Sequence, residues 1–299
     1  PYHWTVEDEA VFDLPALIEK VRSSTAQRPF IVGHSLSAWV IEGYLAGLEY
    51  GADGRVHPNR ALGRARQAGL KGVVTVSGVY NLWWPKALKN ALFDPVLSRE
   101  DYYRSNYELE ALARTSPLYD VASPMPSLPL SWIGDVLTLP LERIPWIGPV
   151  LADAYRHFQD AVIDSPVLSM FYFASNTPAE VVRLHGVDGL EEFGPHLLEQ
   201  LGNGIVQRQT TSYYHGDRPA DAYVYASVRK DLRLPLLFIA GDHDRLANAD
   251  VIHDDGYALS ASADKQYWRA EGGHLDVISG RRSDAEVAQP LVQWFRARQ

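Results

Sequence analysis

The chain has 299 residues, of which 46% are hydrophobic and 22% charged, and its formal net charge at pH 7 is −9. This composition is typical of a globular protein with a sizeable core, and an acidic chain lacks the electrostatic footprint of a nucleic-acid-binding protein. The absence of cysteine excludes disulfides, thiolate nucleophiles and thiolate-bound metals, and no apolar run reaches the roughly 18–20 residues of a membrane span.

The first eighty residues alternate between helical and strand-like patterns. Apolar residues at helical spacing predict a helix over about 6–23, although Pro15 favours a later start. A short apolar run at 29–33 predicts a buried strand, and 37–50 predicts a second helix. The run at 72–77 predicts another buried strand because it is rich in β-branched residues.

A polar, glycine-rich stretch over 51–72 carries a local group of basic side chains. Its members are Arg55, Arg60, Arg64, Arg66 and Lys71. We interpret this group as a solvated loop or helix face rather than a binding patch.

The middle of the chain, 81–230, differs from the rest in composition and in its hydrophobic pattern. It holds most of the tryptophans and prolines and shows no alternation of strand and helix, while segments such as 181–201 have a helical pattern. Its most apolar stretch, 128–151, is interrupted by charged residues and prolines and has the character of a lid or surface patch. We therefore predict a helical cap inserted into the fold.

The alternating pattern resumes after the predicted cap. The apolar run at 234–240 predicts a buried strand, 265–270 predicts a second strand, and 285–297 predicts a closing helix. Short strands alternating with amphipathic helices imply a mostly parallel sheet covered by helices on both faces. The predicted organisation is thus an α/β core formed by 1–80 and 231–299, with the cap between them.

A serine stands where the first predicted strand turns into a helix, in Gly33-His34-Ser35-Leu36-Ser37. A nucleophile at such a turn is held in a strained backbone geometry, and small residues on either side let strand and helix approach closely. The turn also directs the Leu36 N–H toward a developing oxyanion. The alternative is a tight turn in some other α/β protein.

A serine nucleophile needs an acid that orients its base, and a suitable loop follows the strand at 234–240. Two aspartates compete there, Asp242 and Asp244. Asp244 has the more suitable spacing, whereas Asp242 is closer to the strand end and suits a turn-stabilising role. Either carboxylate could instead cap the helix predicted near Ala247.

The base is predicted to be His274, which follows two glycines just beyond the strand at 265–270. Those glycines give its loop the freedom to place the imidazole over Ser35. His253 comes before the last strand, which is too early in the chain, and His243 is predicted to line the entrance. The chain order of serine, acid and histidine is that of a Ser-Asp-His triad.

At these residues the chain resembles the α/β-hydrolase superfamily, and it is most similar to the acid-lipase branch of lysosomal and gastric lipases and their bacterial relatives. The similar segments are Phe12-Asp-Leu-Pro15, Gly241-Asp-His-Asp-Arg-Leu-Ala-Asn248 and His274-Leu-Asp-Val-Ile-Ser-Gly280. The resemblance covers about 1–80 and 231–299. It implies hydrolysis of carboxylic esters, with lipids among the expected substrates, a cap between the sixth and seventh strands, and no metal or organic cofactor.

The chain departs from the superfamily pattern in two places. The elbow ends in Ser37 instead of glycine, and only 34 residues precede Ser35, whereas such hydrolases carry four strands ahead of the helix that leads to the elbow. Those strands normally supply the second oxyanion-hole N–H. We therefore predict a C-terminal piece of a larger protein, whose N-terminal piece is a separate chain that completes the sheet.

The predicted cap suggests the substrate. Trp83 and Trp84, together with His34 beside the nucleophile, are candidate substrate-binding residues, although most tryptophans of the cap are expected to form its own core. An apolar cap favours a small hydrophobic ester over a sugar or a phosphate. Further residues expected near the entrance are Tyr213, Tyr214, Tyr223 and Tyr225.

Several activities are compatible with the predicted triad. An esterase or lipase is the first, an acyltransferase or synthase the second, and a peptidase or amidase the third. A hydrolase fold kept as a non-catalytic binding module is the remaining class. Ser35 excludes dehalogenases and epoxide hydrolases, which need an aspartate at the elbow, and polyester synthases, which use cysteine.

Overall fold

The computed structural model of the chain describes residues 4–81, 171–188, 196–197, 200–201, 203–204, 209–214 and 221–299. Most of the predicted cap, including Trp83 and Trp84, lies outside the described residues. In the described part, no helix is long and apolar enough to cross a membrane.

Four parallel strands form the central sheet, in the spatial order β1-β4-β5-β6. A separate antiparallel hairpin pairs β2 with β3. The strands β1 to β6 are Phe30–His34, Leu48–Tyr50, Val56–Pro58, Gly72–Val76, Leu236–Gly241 and Lys265–Ala270. The strands of the central sheet are those predicted from apolar runs, and the bounds of β6 coincide with the prediction.

Helices flank the strands along the chain. The described α-helices α1 to α8 are Val6–Asp8, Leu14–Thr25, Ser37–Ala46, Arg60–Ala68, Ala179–Asp188, Ala249–Val251, Asp276–Ser279 and Gln289–Arg296. Wider π-helical turns occupy Glu9–Asp13, Ile252–Tyr257 and Asp284–Ala288, and a 3-10 helix occupies Tyr225–Asp231.

The first predicted helix is continuous through Pro15. The π-helical turn Glu9–Asp13 widens the backbone just before the proline, so that the Leu14 N–H bonds to the carbonyl of Glu9. A proline has no N–H and crowds the preceding turn, and a widened turn accommodates it. The start at 6 is therefore confirmed, and the later start suggested by Pro15 is wrong.

The second predicted helix, 37–50, is too long. It ends at Ala46 because Gly47 adopts a left-handed backbone with φ of 69°, a conformation that stops helices and favours glycine. The chain then enters β2. The stretch 51–72, predicted only as polar, contains β3 and α4. Three members of the basic group, Arg60, Arg64 and Arg66, lie on α4, whereas Arg55 and Lys71 lie outside it.

Two hydrophobic layers cover the sheet, one on each face. Val73, Leu236 and Phe238 pack in one cluster with residues of α3, such as Trp39 and Leu45. The alternate residues Val74, Leu237 and Ile239 pack in a second cluster with Val287 and Trp294 near the C-terminus. Because neighbouring strand residues point to opposite faces, this alternation confirms a parallel sheet with helices on both sides.

Strand β1 stands at one end of the described sheet. Among the described residues it pairs with β4 alone, and its Val32 side chain is 50% exposed. A separate N-terminal chain that would pair with this edge stays a prediction.

Candidate active site

The turn between β1 and α3 presents Ser35 in a strained conformation. Its φ is 57°, in the left-handed region that non-glycine residues rarely occupy, and its N–H bonds to the Val76 carbonyl at 3.1 Å. A Cβ on Gly33 would lie 2.5 Å from Ile41 Cδ1 and 3.0 Å from Ser37 Cβ. A larger residue at 33 would therefore displace the Ile41 side chain and crowd Ser37, so that small residues at 33 and 37 suit the close approach of strand and helix.

Ser35, His274 and Asp244 form a continuous hydrogen-bonded series. His274 Nε2 lies 2.7 Å from Ser35 Oγ, and His274 Nδ1 lies 2.9 Å from Asp244 Oδ2. A carboxylate only accepts, so Nδ1 carries the proton of the neutral ring and Nε2 is left to accept the serine hydroxyl. Both His274 and Asp244 are buried, which keeps water from competing for these bonds.

The two aspartates of the acid loop have different partners. Asp244 Oδ1 accepts the N–H groups of Leu246 at 2.8 Å and Ala247 at 2.7 Å, which leaves Oδ2 for His274. The exposed Asp242 instead pairs with Arg269 of β6. Asp244 thus both caps the following turn, as one alternative proposed, and orients the imidazole.

The rival histidines lie elsewhere. His253 bonds to Asp254 at 2.7 Å and packs against Tyr257 and Tyr267. His243 stacks on the ring of Phe173 with a centroid separation of 3.7 Å. In the described part of the chain, Ser35 has its imidazole contact with His274 alone.

His34 contacts the backbone of the base. Its Nε2 lies 2.8 Å from the His274 carbonyl oxygen, so Nε2–H is the donor, and the two rings are 4.9 Å apart. Burial, and next the proximity of His274, lower the pKa of His34 to about 4. His34 is therefore neutral at pH 7 and supports the base.

A clamp behind His274 was missed in the sequence. The buried Asp276 Oδ1 accepts the N–H groups of Phe173 at 2.8 Å and Gly273 at 3.0 Å, while Oδ2 accepts Asn176 Nδ2 at 2.7 Å. These bonds fix the histidine loop to the segment 171–177. Asp276 stands in the segment that carried the resemblance, which was a usable signal, but nothing marks the distant asparagine.

Aromatic side chains of the same segment surround the base. The Phe171 ring stands edge-on to His274 at 6.4 Å, and the Phe171 carbonyl accepts the Leu275 N–H at 2.8 Å. An apolar wall beside the imidazole limits access of water. Sequence patterns did not single out Phe171, because its proximity to the site arises only in the folded chain.

The prediction that Tyr225 lines the entrance is wrong. Its side chain is fully buried, its hydroxyl donates to Glu7, and burial and this carboxylate raise its pKa well above the usual value. The 3-10 helix that starts at Tyr225 packs on α3 and becomes core. Tyr223 packs edge-on against Tyr225 and faces a cleft at the other end of the sheet.

Fold and site together define a parallel α/β protein with a Ser-His-Asp constellation at the carboxyl ends of three strands. Ser35 follows β1, Asp244 follows β5 and His274 follows β6. In the described residues, no group of three or more histidine, aspartate or glutamate side chains could hold a metal ion.

No protein family model and no curated protein matches the chain. Among solved structures, it is similar to a monoacylglycerol lipase of Paleococcus ferrophilus, with a TM-score of 0.49 and 13% identity over 99% of this chain and 77% of that one. A bromoperoxidase from Bacillus anthracis has a TM-score of 0.47 and 12% identity, over 99% and 76%. An esterase from Thermogutta terrifontis has a TM-score of 0.40 and 13% identity, over 99% of this chain and 74% of the esterase. A function therefore has to be inferred from the site itself.

Proposed function

We propose that the chain is a serine hydrolase of the α/β-hydrolase type that cleaves carboxylic esters through an acyl-enzyme on Ser35. The observation that carries this proposal is the hydrogen-bonded series from Ser35 Oγ through His274 to Asp244. The positive φ of Ser35 supports it, because strained backbone conformations of this kind are concentrated at active sites and ligand-binding sites.

We infer the following proton transfers from the hydrogen bonds of the site. His274 Nε2 takes the Ser35 proton as Oγ attacks the ester carbonyl, and Asp244 stabilises the resulting imidazolium. The same proton then passes to the departing alkoxide, which leaves as the alcohol. A water molecule, deprotonated by His274, attacks the acyl carbonyl, and Ser35 recovers its proton as the acid departs.

The oxyanion of each tetrahedral intermediate needs donors near Ser35. Leu36 is the residue that precedes the first turn of α3, so its N–H belongs to the group at a helix start that has no intrahelical partner. The positive end of the helix dipole favours negative charge at this position. We assign the first oxyanion-hole donor to Leu36, as predicted from the elbow.

The described residues favour a substrate with a hydrophobic acyl group. The Phe171 ring stands beside His274 and offers no charge to a polar substrate. The contributions of Trp83 and Trp84 to this pocket stay predictions. An ester with a hydrophobic acyl group is therefore the first substrate to try.

The test is covalent labelling with a fluorophosphonate probe, followed by peptide mapping and by hydrolysis of p-nitrophenyl esters. We expect the label on Ser35, its loss in Ser35→Ala and His274→Ala, and a fall in kcat of about 10⁴- to 10⁶-fold in both variants. Ser23→Ala, which removes an exposed serine on α2, is the matched control and should keep full labelling.

Two outcomes would separate the alternatives. Label retained in Ser35→Ala on a folded sample would refute the assignment of the nucleophile. A transfer product formed preferentially when an alcohol is added would identify an acyltransferase on the same triad instead of a hydrolase.

A further inference from the structure

A second cleft lies at the opposite end of the sheet from Ser35. Its volume is about 870 Å³, and its lining includes Arg28, Lys71 and Pro235, which stand just before β1, β4 and β5. Ser35 follows β1 directly. A five-residue strand is about 17 Å long, so the cleft and the serine are separate sites.

Positive charge is concentrated in this cleft. Its basic side chains are Arg28, Arg60, Arg64, Lys71, Lys230, Arg233 and Arg298, and Asp231 is the one acid in the lining. They make up a quarter of the 28 lysines and arginines of a chain with a net charge of −9. Four separate stretches of sequence supply them, which is why the group at 55–71 showed only part of the cluster.

Few of these charges are neutralised within the chain. Arg298 bonds to Asp264, with Nε at 2.9 Å from Oδ2. Within the described residues, no ion pair engages Arg60, Arg64 or Lys230. Even with Asp231 and Asp264 both counted against the seven cations, an excess of five positive charges lines the cleft.

The arginines of α4 are placed at a cost to the helix. Arg60 is the first residue of α4, at the positive end of the helix dipole, and Arg64 follows it at the i,i+4 spacing where like charges repel. Both therefore destabilise the helix unless an anion is bound. Both arginines are exposed on α4, as the sequence suggested, and both line the cleft, where a bound anion would relieve their repulsion.

Size and charge together restrict the occupant. The volume falls in the range of small-molecule sites, and the net charge of the whole chain repels a long polyanion such as a nucleic acid. Five excess charges favour a ligand with several negative charges in a small volume, and a terminal phosphate group carries about −1.5 to −2. Arginine forks bind phosphate oxygens in pairs. We propose that this cleft binds a small oligophosphate, a ligand with two or more linked phosphate groups.

The test is isothermal titration calorimetry in low-salt buffer with tripolyphosphate as the probe. We expect the wild-type chain to bind one tripolyphosphate, and the double variant Arg60→Gln/Arg64→Gln to bind it at least about tenfold more weakly. The control Lys20→Gln/Arg281→Gln removes two exposed cations outside the cleft, with the same change in net charge. It should stay within about twofold of wild type.

Orthophosphate and vesicles of anionic phospholipid serve as competing ligands. Stronger binding of tripolyphosphate than of either supports the proposal. It is overturned if tripolyphosphate does not bind the wild type, if the control weakens as much as the cleft variant, or if orthophosphate or vesicles bind better. Urea unfolding followed by tryptophan fluorescence should give the cleft variant a midpoint no lower than that of the wild type, which verifies folding without relying on the proposed hydrolase activity.

Discussion

The variant His34→Gln should reduce the acid sensitivity of the fold. The pKa of His34 is lowered from 6.5 to about 4 by burial and by the neighbouring His274. Between these values the unfolded chain takes up a proton at this histidine and the folded chain does not, so lowering the pH favours unfolding. A glutamine amide can still donate to the His274 carbonyl, but it cannot titrate.

The magnitude follows from the two pKa values. Between pH 7 and pH 5, the wild type should lose about 2 kcal/mol more of its free energy of unfolding than His34→Gln. At pH 7 the two proteins should differ by less than about 1 kcal/mol, because the hydrogen bond is kept. The measurement is urea unfolding followed by tryptophan fluorescence at both pH values.

A control and a second variant complete this experiment. Ser23→Ala removes an exposed side chain that does not titrate, and it should keep the pH dependence of wild type. His34→Phe removes the donor as well as the titration, and it should slow labelling of Ser35 whereas His34→Gln should not. Equal loss of stability in wild type and His34→Gln would refute the assignment of a buried, neutral His34.

Three further changes test the frame of the site. Asp276→Asn should lower the free energy of unfolding by about 2–3 kcal/mol and slow the labelling of Ser35. The reason is that the carboxylate accepts three hydrogen bonds, whereas the amide that replaces it has one oxygen acceptor and an NH₂ donor. Unchanged stability in urea would contradict this. Arg229→Met leaves Glu42 buried without its cation and should lower the free energy of unfolding, measured by chemical denaturation, by about 3–5 kcal/mol. The double variant Arg229→Met/Glu42→Leu should recover most of this loss. Gly47→Ala should destabilise the fold by more than about 2 kcal/mol, because the added Cβ would meet backbone atoms of α4. Gly54→Ala, at a residue with a similar φ and open space around it, should cost about 1 kcal/mol or less. Equal melting temperatures of the two variants would refute the steric explanation.

Local patterns were sufficient for the strands and for the placement of the candidate residues at their ends. The bounds of β6 were predicted correctly because its two adjacent aromatic residues, Tyr267 and Trp268, favour a strand and the segment lies between polar turns. The helix at 37–50 was predicted too long, because apolar residues continue past Gly47 and the periodicity does not register a left-handed residue. Pro15 misled in the other direction, since a π-helical turn absorbed it.

The arrangement of the candidate site was largely contained in the sequence, because a serine, an aspartate and a histidine that each follow a strand of one parallel sheet need only the order of strands to bring them together. Tertiary structure decided between Asp242 and Asp244, since that choice depends on which carboxylate meets His274 and which meets Arg269. It also brought Phe171 to the base. The basic cleft is assembled from side chains up to 270 residues apart in sequence, from Arg28 to Arg298. Periodicity and motifs report on neighbours along the chain, whereas contacts between distant segments arise from the packing of the whole fold.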